Sequence, residues 1–228
     1  MNDETYSGEK PSTKRPRTRR GCEEDYQKFR AEILATAKNI YQTHGIEKLT
    51  IRALANELSI SPMLVYHYFA DKVDLIIAMW DEILEQAFNF TFEHTEGISD
   101  VHERIRVQNE RCFEFWENNP EKFRLVFLTD VSKCKRMETG LTATKYFSMM
   151  AAHLYAPIRE LAQETGASEA QIDQAQDLRS SMLIGYLYAS VANTHFPRSD
   201  LAQLRATTLE AISICVDRIL NRHKQSPG

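Results

Sequence analysis

The stretch Leu49-Thr50-Ile51-Arg52-Ala53-Leu54-Ala55-Asn56-Glu57-Leu58-Ser59-Ile60-Ser61-Pro62-Met63-Leu64-Val65-Tyr66-His67-Tyr68-Phe69 reads as two short helices joined by a tight turn. Thr50 is placed to cap the first, its hydroxyl accepting an N–H that the first turn leaves unpaired. Ile51, Leu54, Ala55 and Leu58 then fall on one helical face. Ser59-Ile60 forms the turn. Ser61 caps again, with Pro62 at the first helical position, where a missing N–H does no harm. The second helix runs from 62 to about 67, a length that is marginal in water. Neighbours must hold it, as they hold the recognition helix of a helix-turn-helix unit.

Working outward, the apolar spacing predicts a helix over 24–44 with Tyr26, Phe29, Ile33, Ala37, Ile40 and Tyr41 inward, ended by Gly45. Asp71 caps a long helix reaching about 93 through Leu75, Met79, Ile83 and Phe90. Beyond Gly97 the pattern stays helical: Ser99 opens a segment through Ile105, Cys112, Phe113 and Trp116, and Asn119-Pro120 starts the next, with Phe123, Val126 and Phe127 at helical spacing. The stretch 137–165 is interrupted by Gly140 and Pro157 and is expected to be kinked or split. Ser168-Glu169-Ala170-Gln171 is a capping box opening a helix to about 194, and Ser199 opens the last, to about 223.

A chain of 228 residues, 43% hydrophobic and with only 8 Gly, supports a substantial core and favours helices over sheets. The expected fold class is all-α. With no run of eighteen apolar residues and no hydrophobic stretch near Met1, the chain reads as cytoplasmic, without a membrane span or signal peptide. Cys22, Cys112, Cys134 and Cys215 make no Cys-x-x-Cys pair and read as separate reduced thiols. The net charge of −4 hides an asymmetry: residues 10–72 hold twelve Lys or Arg against seven Asp or Glu, a balance of +5, which leaves −9 for the remainder.

Residues 1–22 are too polar to fold alone and read as a disordered basic arm centred on Lys14-Arg15-Pro16-Arg17-Thr18-Arg19-Arg20. Two readings stand side by side, a solvated tail and an arm that follows phosphates or enters a minor groove. Enzyme signatures are missing: there is no Gly-x-Ser-x-Gly, Gly-x-Gly-x-x-Gly, Walker loop or His-Glu-x-x-His, and the seven histidines show no i, i+4 pair suited to a metal. No catalytic residue, metal site or cofactor is therefore expected.

The run Leu-Thr-x-Arg-x-Leu-Ala-x-x-Leu-x-Ile-Ser-x-x-x-Val-Tyr-x-Tyr-Phe-x-x-Lys, from Leu49 to Lys72, resembles the N-terminal DNA-binding domain of the TetR family of bacterial transcriptional regulators. The likeness covers about residues 26–75. The rest of the chain agrees only in length and helical character. It implies a helix-turn-helix domain over 23–75 and a helical effector-binding and dimerisation domain over 76–228. Thr50 would offer its hydroxyl to a phosphate, and Arg52 would face the groove, where a guanidinium can bind guanine O6 and N7 together. Ser61 opens the helix whose Pro62, Met63 and Leu64 stand where the family reads base edges. Those three carry no polar side chain, so readout leans on Arg52, on His67 and on contact with thymine methyls. Tyr66, Tyr68 and Lys72 match phosphate-contacting positions, while Val65 and Phe69 fill the core beneath. Pro62-Met63 replaces the small or polar residues of many relatives, which puts the operator sequence out of reach.

The same resemblance implies a ligand cavity, for which Phe113, Trp116, Phe127, Tyr146, Phe147, Met150, His153 and Tyr186 are candidates; ordinary core packing is the competing reading for each. Such a lining suits a flat or elongated apolar effector with one polar end. Two apolar stripes mark the last helices: Ile172, Ala175, Met182, Leu183, Tyr186 and Ala189, then Leu201, Leu204, Leu209, Ile212, Val216, Ile219 and Leu220. They fit either intrachain core or a four-helix homodimer interface of the family's kind. The function so implied is a ligand-responsive repressor that binds a palindromic double-stranded DNA operator as a dimer and is released by a small-molecule effector. A helical enzyme lacks the motifs above, and a protein-interaction adaptor leaves the basic arm and the segment from Tyr66 to Lys72 without a purpose.

Overall fold

The computed structural model describes residues 19–129, 144–192 and 200–222. The basic arm before residue 19, Cys134, Met137, Gly140, His195 and His223 lie outside the described residues. Within them the order is α1 (Arg19–His44), α2 (Ile51–Glu57), α3 (Pro62–Tyr68), α4 (Lys72–Phe92), α5 (Val101–Glu117), α6 (Pro120–Phe127), α7 (Lys145–Thr165), α8 (Glu169–Leu187) and α9 (Leu201–Leu220), with a wider π-helical turn, Tyr188–Ala192, continuing α8. The chain is all-α, with no strand among the described residues.

Most starts follow the expected chemistry. Thr50, Ser61, Asp71 and Ser168 each accept an N–H from the first turn of the helix they open, and Ser168 with Gln171 completes the capping box. Two starts move by one residue. Asp100, not Ser99, caps α5 by accepting the Glu103 N–H at 3.0 Å, and Asp200, not Ser199, caps α9 by accepting the Gln203 N–H at 3.0 Å. Nor does Pro157 split α7, which runs unbroken to Thr165. The proline removes one ladder bond, but Pro157, Ile158, Leu161 and Ala162 are buried together, and that burial offsets a penalty of roughly 3 kcal/mol.

α4 is the spine. Leu75, Ile76, Met79, Trp80, Ile83, Leu84 and Ala87 are buried along it, against α1 near its start and against α5, α6 and α7 further on. The buried Trp80 Nε1–H donates to the Leu125 carbonyl at 2.8 Å, satisfying its polar edge. α8 and α9 pair antiparallel, since Gln171 at the start of α8 donates to the Ile219 carbonyl near the end of α9 at 2.8 Å. Here the two stripes resolve largely as intrachain core: Ile172, Ala175, Leu183, Tyr186, Ile212, Val216, Ile219 and Leu220 are buried within one copy, and Met182, Ala189 and Leu209 are half-buried. Leu201 and Leu204 remain exposed. Among the described residues no helix is long and apolar enough to cross a membrane.

Candidate nucleic-acid interface and effector clefts

α3 is seven residues long, so its position depends on what grips it. Three devices do. Ser61 Oγ accepts the Leu64 N–H at 3.3 Å at one end, Val65 and Phe69 are buried beneath, and Tyr68 stacks on Tyr26 of α1 with ring centroids 4.6 Å apart. Phe29 meets Tyr68 at 5.4 Å, and the Arg30 guanidinium lies over the Phe69 ring at 5.0 Å. The turn before α3 is tight enough to push Ser59 to φ 54°, a left-handed conformation that a side chain resists.

What this anchoring leaves outside is a short apolar and aromatic face. Met63 is 76% exposed, Tyr66 50% and Leu64 38%, with Ser61, Pro62 and His67 exposed beside them. A folded chain rarely leaves a helix this apolar in water unless something else covers it. Arg52, in the first turn of α2, is exposed and makes no ion pair among the described residues. Thr50 is exposed, but its hydroxyl oxygen already accepts the Ala53 N–H at 3.0 Å. Tyr68 is half-buried by its stack, and the Lys72 ammonium donates to the Ile46 carbonyl at 2.7 Å. Both are therefore structural parts of the head, whatever else they touch. Tyr26 and Arg30 were not among the expected site residues; the sequence signal for Tyr26 was its place on the inward face of the first helix.

Charge adds one constraint. Between residues 23 and 72, six Lys or Arg stand against seven Asp or Glu. The positive excess of this end resides in the six basic residues from Lys10 to Arg20.

The eight expected cavity residues do not meet in one cavity. Trp116 and Phe127 pack edge to face at 5.2 Å in an aromatic core of α5 and α6, joined by Phe123. Phe113 lies 4.2 Å from Tyr186, whose hydroxyl donates to Glu117 on α5; burial and that carboxylate push the phenol well above its ordinary value. Tyr186 borders a cleft of about 490 Å³ that also touches α9. Tyr146 donates to Glu85, and His153 packs against Phe88 at 4.7 Å and Phe92 at 5.1 Å, between α4 and α7. Met150 is buried and Phe147 half-buried on α7. Among these eight, His153 borders a cleft of about 840 Å³, lined by Phe88, Phe92 and Met149. Phe88 and Phe92 escaped the sequence reading because their spacing is also that of an ordinary buried helix face. No cluster of metal-ligating side chains occurs among the described residues.

Residues 33–79 match the family described as bacterial regulatory proteins, tetR family. A curated relative, the HTH-type transcriptional activator FasR of Mycolicibacterium smegmatis, is 24% identical over 132 residues, covering 57% of this chain and 60% of its own length. The chain thus aligns with a little over half of that relative. Among solved structures, the fatty acid degradation regulator FadR from Bacillus halodurans superposes with a TM-score of 0.63 at 14% identity, covering 81% of this chain and 94% of its own. BioQ, solved with its double-stranded DNA operator, superposes with a TM-score of 0.52 at 20% identity, covering 81% and 98%. At these identities the likeness is one of fold.

Proposed function

We propose, for a chain whose head is that of the TetR family of bacterial regulators, that it binds a palindromic DNA operator as a homodimer and changes its hold on that operator when a small molecule enters the helical domain. The observation that carries this reading is the exposed face of α3, apolar and aromatic yet rigidly gripped from below by Val65, Phe69 and the Tyr26 stack. A major groove accepts such a helix, with thymine methyls against Met63 and Leu64 and phosphates against Tyr66. The family match over 33–79 and the operator complex of BioQ support it. We divide the chain accordingly into an arm at 1–22, a head at 23–75 and a regulatory domain at 76–228, and read it as a binding protein of the cytoplasm rather than an enzyme.

A dimer follows from the need for two heads on a two-fold site. Its interface is assigned to the outer faces of α8 and α9, where Ile184, Tyr188, Leu204 and Ile214 are exposed, rather than to the inward stripes. Repression is the simplest outcome of operator occupancy, although FasR is an activator, and the sign depends on where the operator lies.

A gel shift with genomic fragments tests the reading. Wild type should select a palindromic fragment. Tyr66→Phe should weaken binding to all sequences alike, while Arg52→Ala should relax discrimination at one base pair by roughly 1–3 kcal/mol. No retention of any fragment at low salt would end the DNA-binding reading, and equal losses on specific and random DNA would remove Arg52 from the base readers.

A further inference from the structure

Arg179 lies on the inward face of α8 and is 1% exposed. Its Nε–H donates to Asn109 Oδ1 at 2.8 Å, its Nη2 to Gln108 Oε1 at 3.1 Å, and its Nη1 to the Leu154 carbonyl. All three acceptors are neutral. Among the described residues no carboxylate comes within ion-pairing distance. Burial pulls the guanidinium down to about 10, which still leaves it a cation at neutral pH. A buried charge of this kind is strongly unfavourable unless a counter-charge completes it. One turn earlier on the same buried face, Gln176 is 4% exposed and its Nε2 has no hydrogen-bond partner. The site therefore holds more donors than acceptors and one positive charge too many.

The geometry points to an organic monocarboxylate as the effector, its two oxygens received by Arg179 and Gln176 and its apolar body lying in the cleft between α4 and α7. This rests on the effector-gated reading above and names the ligand class. A carboxylate supplies the two things missing, a negative charge and up to four acceptor positions in a plane that matches the guanidinium fork. An approach exists. Gln108, which holds Arg179, also borders a cleft of about 370 Å³. That cleft shares Glu96 and His153 with the 840 Å³ cleft walled by Phe88 and Phe92, so a polar end at Gln108 continues into an aromatic trough. Arg104, one turn before Gln108 on α5, stands at the rim, where it pairs with Glu160. For the head group to reach Arg179, the Gln108 amide swings aside and the carboxylate takes its place as acceptor.

The test uses the full chain, with hexanoate, octanoate, decanoate and 3-phenylpropanoate set against the matching alcohols in thermal melts and calorimetric titrations. At least one acid should raise the melting temperature, and its alcohol should not. Arg179→Met removes the buried charge but leaves the Asn109, Gln108 and Leu154 oxygens without their donor, so it should melt lower than wild type and, where folded, bind the acid roughly 10- to 100-fold more weakly. Gln176→Leu, which deletes the orphan donor, is the second variant and should lose acid affinity while keeping the fold. Binding of acids and alcohols alike, no response to any acid, or unchanged acid affinity in Gln176→Leu would overturn the assignment. Gel shifts on the same preparations without acid keep the two ideas apart: DNA binding that persists while acid binding fails overturns the ligand class alone, whereas DNA binding absent from wild type defeats the regulator reading itself.

Discussion

Ile212 and Ile214 are two residues apart on α9 and about 200° apart around it, and charging each should have opposite consequences. Ile212 is fully buried against α8, while Ile214 is 57% exposed. Ile212→Glu forfeits the transfer energy of a buried aliphatic side chain, about 2–3 kcal/mol, and seats an unpartnered carboxylate in the core for several more. A total on the order of 5 kcal/mol or above approaches the whole stability of an ordinary domain, so the variant should fail to fold. Ile214→Glu removes nothing from the monomer core and should shift its stability by no more than about 0.5 kcal/mol. If the outer face of α9 is the dimer interface, that same variant should sediment as a monomer and lose operator affinity steeply, because one head makes half the contacts. Urea unfolding reads the first effect, and sedimentation velocity with gel shifts reads the second. An Ile212→Glu chain as stable as wild type would refute the burial argument. An Ile214→Glu chain that stays dimeric with full operator affinity would move the interface off this face.

Deleting residues 1–20 should leave the fold intact and reduce DNA affinity, with a shallower dependence of log K on log salt. Each lost phosphate contact removes about 0.9 from the slope, and an unchanged slope would reduce the arm to a tail. Ser59→Gly should raise the urea midpoint, relieving roughly 1 kcal/mol of left-handed strain at φ 54°; no gain would mean that the turn is not strained. Cys112 is buried, and burial pushes its thiol from 9.0 up to about 12. It should resist iodoacetamide at pH 8 in the folded chain and react once urea is added, as peptide mass mapping would show. Between those two values the unfolded chain releases its proton first, so this group makes stability fall as pH rises through that window.

How much of this was legible in the sequence depended on whether the deciding interaction was local. Caps are local, and Thr50, Ser61, Asp71 and Ser168 sit where their residue types placed them. Ser99 and Ser199 failed by one position because an equally good cap, Asp, follows each, and nothing nearby in sequence chooses between them. Pro157 misled because the burial that tolerates it comes from other helices. The stripes on α8 and α9 were read correctly as apolar faces, yet periodicity alone cannot say whether a face meets its own chain or a copy. Aromatic candidates scattered for the same reason, since a ring at core spacing fills whatever space the neighbouring helices leave. Reading for apolar repeats also passed over Gln176 and Arg179, which fall in register with Ile172, Ala175, Leu183 and Tyr186. A polar residue in phase with a buried stripe is the pattern that would have found them.

One element brings these parts into mechanical contact. α4 starts in the head, where Asp71 caps it and Lys72 is tied to the Ile46 carbonyl, and Lys38 of α1 pairs with its Glu82 at 2.5 Å. Further along, Trp80 holds the Leu125 carbonyl of α6, Asp81 accepts the Tyr146 N–H at the start of α7, and Phe88 and Phe92 wall the 840 Å³ cleft. Twenty-one residues of helix span about 32 Å without a proline or glycine to bend them. A ligand that displaces Phe88 and Phe92 therefore meets a rod, not a hinge. Because the Ile46 carbonyl holds the start of that rod and Lys38 its middle, a shift at the cleft must tilt the head or break those ties, and on the proposed dimer tilting two heads would change the separation that a palindromic site requires.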